Sequence, residues 1–292
     1  MTLKRRSGLT SLRTYVPLIF IVFFVSAKSQ PIDPLNLADS LFSIKAYQPA
    51  ITEYKRFLFF QGHDDSSAHV YSQIGKCYRN LFDWDKAAES FRNAIDRASN
   101  DSLRSEYKIA LGVVHISSGD YSSAEMSLLG LASFSKISAI RTRAAFFLSL
   151  NYIYRHKWKE AKQYLEENFP ISDSSANSEL RQLLEKAANT KYKSPALAKW
   201  LSTFIPGLGQ IYASRPLSAL NAMAINAGTG YLLFDTIDKH PSFIEIFSYG
   251  SLFHRYWAGN RNNAAQYVRE SNEKKDKKLE MELLQVIDKM MD

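Results

Sequence analysis

The stretch AHVYSQIGKCYRNLFDWDKAAESFRNAI, residues 68–95, decides the fold of this chain. Apolar residues recur at helical spacing on both sides of Phe82 and Asp83, where the spacing breaks. The two apolar stripes are Ile74, Tyr78 and Leu81 before the break, and Trp84, Ala87, Ala88, Phe91, Ala94 and Ile95 after it. The pattern therefore predicts two short helices joined by a tight turn.

The same pattern recurs along the chain at a fixed interval of 37 residues. The recurring residues are the aromatic Tyr47, Trp84, Tyr121 and Trp158, the alanines Ala50, Ala87, Ala124 and Ala161, the large apolar Tyr54, Phe91, Leu128 and Leu165, and the aliphatic Leu37, Ile74, Leu111 and Leu148. A period this regular indicates a repeat architecture. Stacked repeats usually build binding surfaces rather than catalytic pockets.

Small and aromatic residues hold fixed places within each copy. They are Gly75, Tyr78, Ala87, Phe91 and Ala94 in the second copy, and Gly112, Gly119, Asp120, Tyr121 and Ala124 in the third. This set resembles the tetratricopeptide repeat over residues 34–170. The other two copies depart from it, with Ala38 and Ser149 at the crossing glycine and Lys45 and His156 at the turn glycine. The period exceeds the family's period of about 34 residues, which implies slightly longer helices or linkers.

The resemblance implies an all-α solenoid of helical hairpins over residues 34–190, closed by a capping helix at residues 178–189. It also implies a concave groove lined by the first helix of each repeat. The groove positions are His69, Ser72, Lys76 and Arg79, then Glu106, Ile109, Val113 and Ile116, then Arg143, Phe146, Leu150 and Ile153. This basic and apolar surface suits an extended protein segment with acidic and apolar side chains. The alternative is that the cations form an ordinary solvated face and the apolar residues belong to the core.

The chain begins with a pattern typical of a secretory signal. A basic start that includes Lys4 is followed by the apolar run of residues 18–25 and by the small-x-small pattern of residues 27–29. We expect residues 1–29 to be a signal peptide, or else an uncleaved signal anchor. In either case the bulk of the chain is exported, and we expect the repeats in the periplasm of a bacterial cell envelope.

Charge and cysteine content argue against two other classes of protein. The formal net charge is +8, but the first 29 residues carry five basic and no acidic residues, which leaves +3 for the rest. A nearly balanced chain gives little support for nucleic-acid binding. The single cysteine, Cys77, forms no internal disulfide, and its place in a predicted helix favours a buried core residue.

A hydrophobic module is expected at residues 191–268. Residues 216–234 carry no charge, and as a helix they would measure about 28 Å, close to the thickness of a hydrocarbon core. We therefore expect a transmembrane helix there. Its polar exceptions, Asn221 and Asn226, should face another helix, because an unpaired amide in hydrocarbon is costly.

The sequence LSTFIPGLGQIY contains a tight elbow, since a proline and two glycines interrupt an apolar helix. Its motif residues are Pro206, Gly207, Gly209, Gln210 and Tyr212. The motif resembles the PGxGQ signature of TM2-type hydrophobic hairpin modules of uncharacterised function in bacteria. The resemblance implies placement at a membrane and nothing catalytic. The chain departs from the signature after the tyrosine, where Ala213 and Ser214 stand in place of a common glycine.

Two further segments follow the hairpin motif. In the aromatic-rich stretch after residue 243, Arg255 and Arg261 would pair with phosphate, and Trp257 would anchor at the interface. The alternative is a helix end with ordinary interfacial anchors. Residues 269–292 are charged and carry an amphipathic stripe, so we expect a helix that docks on a partner, on the membrane or on its own chain.

No catalytic constellation emerges from the sequence. None of the six histidines stands at metal-ligand spacing, and the chain has no GxSxG motif. We therefore expect no enzyme, cofactor or metal, and the leading hypothesis is an envelope scaffold that binds a protein partner and is held at the membrane. A second hypothesis gives the main function to the membrane module, with the repeats as recruiter. A third is a small enzyme around Gln210, His254 and Arg255.

Overall fold

The computed structural model describes residues 33–61, 66–168, 175–239 and 242–291. The expected signal segment, residues 1–29, lies outside these ranges. Within them the chain is all-helical without a strand, which confirms the all-α expectation. The helices are α1 (Pro34–Ser43), α2 (Tyr47–Gln61), α3 (Ser66–Asn80), α4 (Trp84–Asp96), α5 (Asp101–Ser118), α6 (Tyr121–Phe134), α7 (Ser138–Tyr154), α8 (Trp158–Asn168), α9 (Ser175–Ala188), α10 (Pro195–Phe204), α11 (Leu208–Tyr212), α12 (Pro216–Asp238) and α13 (Phe243–Met291).

The first eight helices form four hairpins, α1/α2, α3/α4, α5/α6 and α7/α8, and each hairpin packs on the next. Their turns share one backbone device. The residues in the left-handed region are Lys45, Phe82, Gly119 and His156, with φ of 62°, 60°, 79° and 54°, and they are spaced 37 residues apart. Glycine adopts this conformation freely, whereas each of the other three residues costs about 1–2 kcal/mol. The 37-residue period of the sequence therefore coincides with a period of the same length in the backbone conformation.

The small residues of the repeats lie where two helices of a hairpin cross. A Cβ atom added at Gly75 would lie 2.9 Å from the ring of Phe91, and one added at Gly112 would lie 2.7 Å from the side chain of Leu128. Real Cβ atoms are essentially never found this close to a neighbour. Glycine at these places lets a large side chain from the second helix rest directly on the backbone of the first.

The long helix α13 returns to the repeats at its C-terminal end. Leu279, Leu283, Val286 and Ile287 are buried in the same core cluster as residues of α5 to α9. The tail was expected to dock on a partner, on the membrane or on its own chain. In the structure it contacts the repeats of its own chain. The helix runs without interruption through residues 268 and 269, the expected boundary between module and tail.

The return of α13 creates a fifth antiparallel helix pair with α9. Asn272 exchanges two hydrogen bonds with the backbone of Lys193, at 3.2 and 2.8 Å. Nearly three turns further along α13, Glu282 accepts a hydrogen bond from Lys186 at 3.1 Å. Residue numbers therefore rise along one helix as they fall along the other. The segment from 190 to 271 stands between the two helices of this pair.

The inserted segment contains α10, α11, α12 and the first part of α13, which pack on one another. In the described part of the chain, α12 included, no helix is both long enough and apolar enough to cross a membrane.

We predict that Leu283→Ala destabilises the fold by about 2–5 kcal/mol, because it leaves a cavity in the core shared by α13 and the repeats. Leu283 is fully buried. The matched control is Met281→Ala on the same helix, since Met281 is 59 % exposed and its truncation should change stability by less than about 0.5 kcal/mol. Denaturant unfolding followed by circular dichroism measures both. Equal stabilities for the two variants would show that the return of α13 contributes little.

Candidate functional site

Equivalent positions of neighbouring repeats face each other on the first helices. The guanidinium of Arg143 on α7 donates to the carboxylate of Glu106 on α5, and the two residues are 37 positions apart. The faces of α5 and α7 are therefore in register, and each groove position predicted from the sequence belongs to a row of equivalent positions 37 residues apart.

The rows differ in exposure. His69 and Arg143 are exposed, and Lys76, Arg79, Phe146 and Leu150 are half-buried. The prediction that Ser72 lines the groove is wrong, because Ser72 is only 2 % exposed and its hydroxyl donates to the carbonyl of His69 at 2.7 Å. The same row is buried again at Ile109, and Ile153 in another row is buried as well. Ser72 and Ile109 therefore turn toward the core, whereas Phe146 in the same row is only half-buried.

Two cations stand without an acidic partner at the second repeat. Neither the ammonium of Lys76 nor the guanidinium of Arg79 forms a hydrogen bond or ion pair with any residue that the structure describes. Burial, followed by repulsion from Arg79, lowers the pKa of Lys76, and attraction from Asp39 only partly opposes this. Asp39 itself accepts a hydrogen bond from the hydroxyl of Tyr54 at 2.6 Å. This end of the face is therefore a desolvated positive patch with capacity for an anionic group.

Apolar residues stand at the equivalent positions of the next two repeats. Val113 and Leu150 follow Lys76 in its row, and Ile116 follows Arg79. All three are half-buried, so each keeps part of its apolar surface in solvent. We call the face made by these five residues the inner face. It offers two cations at one end and aliphatic contact area along the rest.

The PGLGQ motif forms a backbone elbow in the second candidate region. Gly207 has φ of 93° and stands directly before α11. A Cβ atom added at Gly209 would lie 2.1 Å from the carbonyl oxygen of Ala198 and 2.8 Å from Ala264. The two glycines thus serve different purposes, because one permits the turn and the other lets α11 touch both α10 and α13.

A buried polar network fixes this elbow to α13. The hydroxyl of Ser202 accepts from the amide of Gly209 at 3.0 Å and donates to Oε1 of Gln210 at 3.1 Å. Nε2 of Gln210 donates to the carbonyl oxygen of Asn260 at 3.1 Å and also to its side-chain oxygen. Ser202, Gln210 and Asn260 are almost fully buried. Gln210 is recognisable from its motif, whereas its partners lie 8 and 50 residues away and carry no signal in the sequence.

Tyr212, the last residue of the motif, connects the elbow to the start of the module. Its hydroxyl accepts from the amide of Ser194 at 3.0 Å, and its carbonyl accepts from the ammonium of Lys193 at 2.7 Å. Pro206 is half-buried in the turn. The motif residues therefore position helices, and their polar atoms are largely used within the fold.

The structure separates the three residues predicted to contact a headgroup or partner. Nε1 of Trp257 donates to the carbonyl oxygen of Thr203 at 3.1 Å, and the guanidinium of Arg261 lies 4.5 Å from the Trp257 ring centroid. These two residues pack beside α10. Arg255 instead lines a cavity that opens between α12 and α13.

This cavity has a volume of about 340 Å³. We call it the α12–α13 cleft. Its lining is Gln210, Ser218, Asn221, Ala222, Ile225, Asn226, Arg255, Tyr256, Gly259, Asn260, Asn263 and Tyr267. This lining includes one cation and no carboxylate. Oδ1 of Asn226 is buried and accepts no hydrogen bond from the described residues. The cleft was missed from the sequence, although Asn226 was recognised as a polar residue that needs a neighbour.

Large apolar side chains are exposed on all three longer helices of the inserted segment. They are Leu197, Trp200 and Phe204 on α10, Leu217, Leu220, Ile225, Tyr231, Leu232, Phe234 and Ile237 on α12, and Phe243, Ile244, Ile246, Phe247 and Tyr256 on α13. Soluble monomers rarely expose apolar patches of more than a few hundred Å². We call these residues the apolar surface of the module.

Candidate catalytic groups remain scattered. No group of three His, Cys, Asp or Glu residues that could hold a metal ion occurs in the described ranges. His254 is not part of the cleft that Gln210 and Arg255 line. His115 lies 3.7 Å from a carboxylate oxygen of Asp120, and burial lowers the pKa of its imidazole.

No protein-family model matches this chain, and no curated protein matches it.

We predict that Gly209→Ala lowers the melting temperature of the module, because the new Cβ atom meets the backbone of α10, which cannot rotate away. Overpacking of this kind costs about 1–3 kcal/mol. The matched control is Gly228→Ala, since no atom lies within 4 Å of a Cβ atom added there. As Gly228 lies inside α12, alanine should stabilise by about 0.5–1 kcal/mol. Thermal unfolding measures the melting temperatures of both variants. Shifts of the melting temperature in the same direction would contradict the close approach of Gly209 to α10.

Proposed function

We propose that the chain is a non-catalytic adaptor of the cell envelope. In this proposal residues 34–190 form a tetratricopeptide-like stack that binds a protein partner, and the inserted segment holds the stack at a membrane. The single observation that carries the proposal is the in-register inner face with its two unpaired cations. Export rests on the sequence of residues 1–29 alone.

The inner face supports recognition of an extended acidic and apolar segment. A carboxylate of the partner would remove the uncompensated charge of Lys76 and Arg79, and charge-assisted hydrogen bonds are roughly twice as strong as neutral ones. Apolar side chains further along the segment would cover Val113, Ile116 and Leu150. The alternative of an ordinary solvated face fits the half-buried position of Lys76 less well, because burial already disfavours the charged form of its ammonium.

The apolar surface of the module supports contact with a lipid bilayer. The rings of Phe243 and Phe247 stack on each other and are otherwise largely exposed to solvent. Transfer of one such side chain out of water is worth about 1.5–3 kcal/mol when complete. Aromatic residues that combine an apolar ring with a polar tip, such as Tyr256, suit the interface between lipid and water.

A second candidate function gives the main role to the module, with the repeats as recruiter. The α12–α13 cleft favours it, because the cleft is a polar cavity within the helices that expose the apolar surface. Variants that lose only peptide binding, and variants that lose only membrane contact, distinguish the two candidate functions.

We predict that Lys76→Glu combined with Arg79→Glu weakens binding of a fluorescein-labelled peptide of alternating glutamate and leucine by tenfold or more. Reversal of two charges replaces attraction with repulsion at the same surface. The control pair is Lys108→Glu with Lys159→Glu, which changes net charge equally at exposed positions outside the inner face. Fluorescence anisotropy at two salt concentrations measures affinity, which should fall with salt for the wild type. Equal weakening by both pairs would refute a site at the inner face.

We predict that Phe243→Ser with Phe247→Ser reduces flotation of the full chain with phospholipid vesicles by about tenfold, because two apolar side chains no longer enter the bilayer. The control is Phe59→Ser with Phe60→Ser. Phe59 and Phe60 lie on the repeats and match the module residues in exposure. Phe59 and Phe243 are both 82 % exposed, and Phe60 and Phe247 are both 69 % exposed. All variants keep residues 1–32 unchanged, so this segment cannot cause a difference in flotation between them. The same flotation for both pairs would exclude the module as the contacting part.

A further inference from the structure

We propose that the α12–α13 cleft binds the headgroup of a membrane phospholipid, through its phosphate and through a hydrogen-bond donor beyond the phosphate, as in phosphoethanolamine. The inference rests on the proposed membrane contact and deepens it. The volume of about 340 Å³ lies within the usual range of small-molecule sites, about 300–1,000 Å³.

Arg255 gives the cleft its charge. Its side chain is exposed at the lining and has no hydrogen bond or ion pair with any part of the chain that the structure describes. With no Asp or Glu in the lining, the cation is not neutralised locally. A guanidinium presents several donors in a planar fork that matches the oxygens of a phosphate, so an anionic phosphate ester is the complementary ligand.

Asn226 adds a requirement for a donor. Its Nδ2 atom donates to the carbonyl oxygen of Ala222 at 2.8 Å, which fixes the orientation of the amide. Oδ1 is therefore the free atom, and it is buried without a partner in a residue only 4 % exposed. A buried acceptor left unpaired costs about 1–3 kcal/mol, so a ligand that supplies an N–H or O–H group here gains that energy.

The other polar residues of the cleft divide into two groups. Gln210 and Asn260 are held in the buried network and form a rigid part of the lining. The side-chain amides of Asn221 and Asn263 also line the cleft and form no hydrogen bond with the described residues, so they are free to meet the oxygens of an ester. A fixed floor with free amides around it is the arrangement expected of a preformed site.

The surroundings favour a lipid over a free phosphate ester. Ile225 belongs to the lining and is 45 % exposed, so apolar surface reaches the cleft itself. Leu217 and Leu220, next in sequence to lining residues, are among the most exposed apolar residues of α12. Acyl chains attached to the bound headgroup would cover this surface, whereas a soluble ester would leave it in water.

The test compares flotation of the full chain with vesicles of pure phosphatidylcholine and of equal parts phosphatidylcholine and phosphatidylethanolamine. Both lipids are zwitterionic and carry a phosphate, but only the ethanolamine group has N–H donors. We expect three- to tenfold tighter binding to the mixed vesicles. Asn226→Ala should abolish this preference and keep binding to pure phosphatidylcholine. Arg255→Gln should weaken binding to both, whereas the control Arg269→Gln, which removes an exposed cation of α13 outside the cleft, should not.

The outcomes separate the cleft from the membrane contact. Binding to both vesicles without preference, or a preference that survives in Asn226→Ala with an unchanged melting temperature, would overturn the cleft proposal and leave the membrane contact standing. An absence of vesicle binding would overturn both. Calorimetry with soluble glycerophosphoethanolamine provides the last arm. If the soluble ester binds as tightly as the vesicles, the proposal that the ligand is a membrane lipid is overturned. Much weaker binding of the soluble ester would support that proposal.

Discussion

Burial of one stripe on α13 against the repeats is the interaction on which the rest of the structure depends. Leu283 and its neighbours fill the core beside α9, and Asn272 fixes the end of the pair to Lys193. The fifth pair thereby closes the stack, which would otherwise end on a helix with an uncovered apolar face. Because the same helix continues upstream to Asn260, it also provides the surface against which the PGLGQ elbow is fixed.

A shared helix sets the distance between the α12–α13 cleft and the core of the repeats. Arg255 and Leu283 lie 28 residues apart on α13, which corresponds to about 42 Å along the helix axis. Under the proposed function, a partner on the inner face would stand at a set distance from the lipid that the module contacts. A flexible linker between the two parts would permit a range of distances instead. Continuity of α13 therefore favours an adaptor that positions its partner rather than one that only captures it.

The hairpins could be predicted from the sequence because their signals are local and repeated. The break at Phe82 and the small residue at Gly75 both follow from neighbours within one hairpin. The burial of Ser72 could not be predicted in this way, since the period shows which positions are equivalent but not which of them turn inward. The return of α13 was also beyond local reasoning. Composition changes near residue 268, whereas helix continuity depends on contacts with α9, which lies about 90 residues earlier.

The PGLGQ motif shows why a short motif can indicate a fold more surely than a function. Gln210 has its side-chain oxygen and amide engaged by Ser202 and Asn260, so the most distinctive residue of the motif has little left to offer a ligand. The elbow it stabilises brings α11 and α12 against α13, and the unpaired groups lie beside the motif at Asn226 and Arg255. Under the proposed function, ligand contacts in this module therefore fall on residues outside the motif.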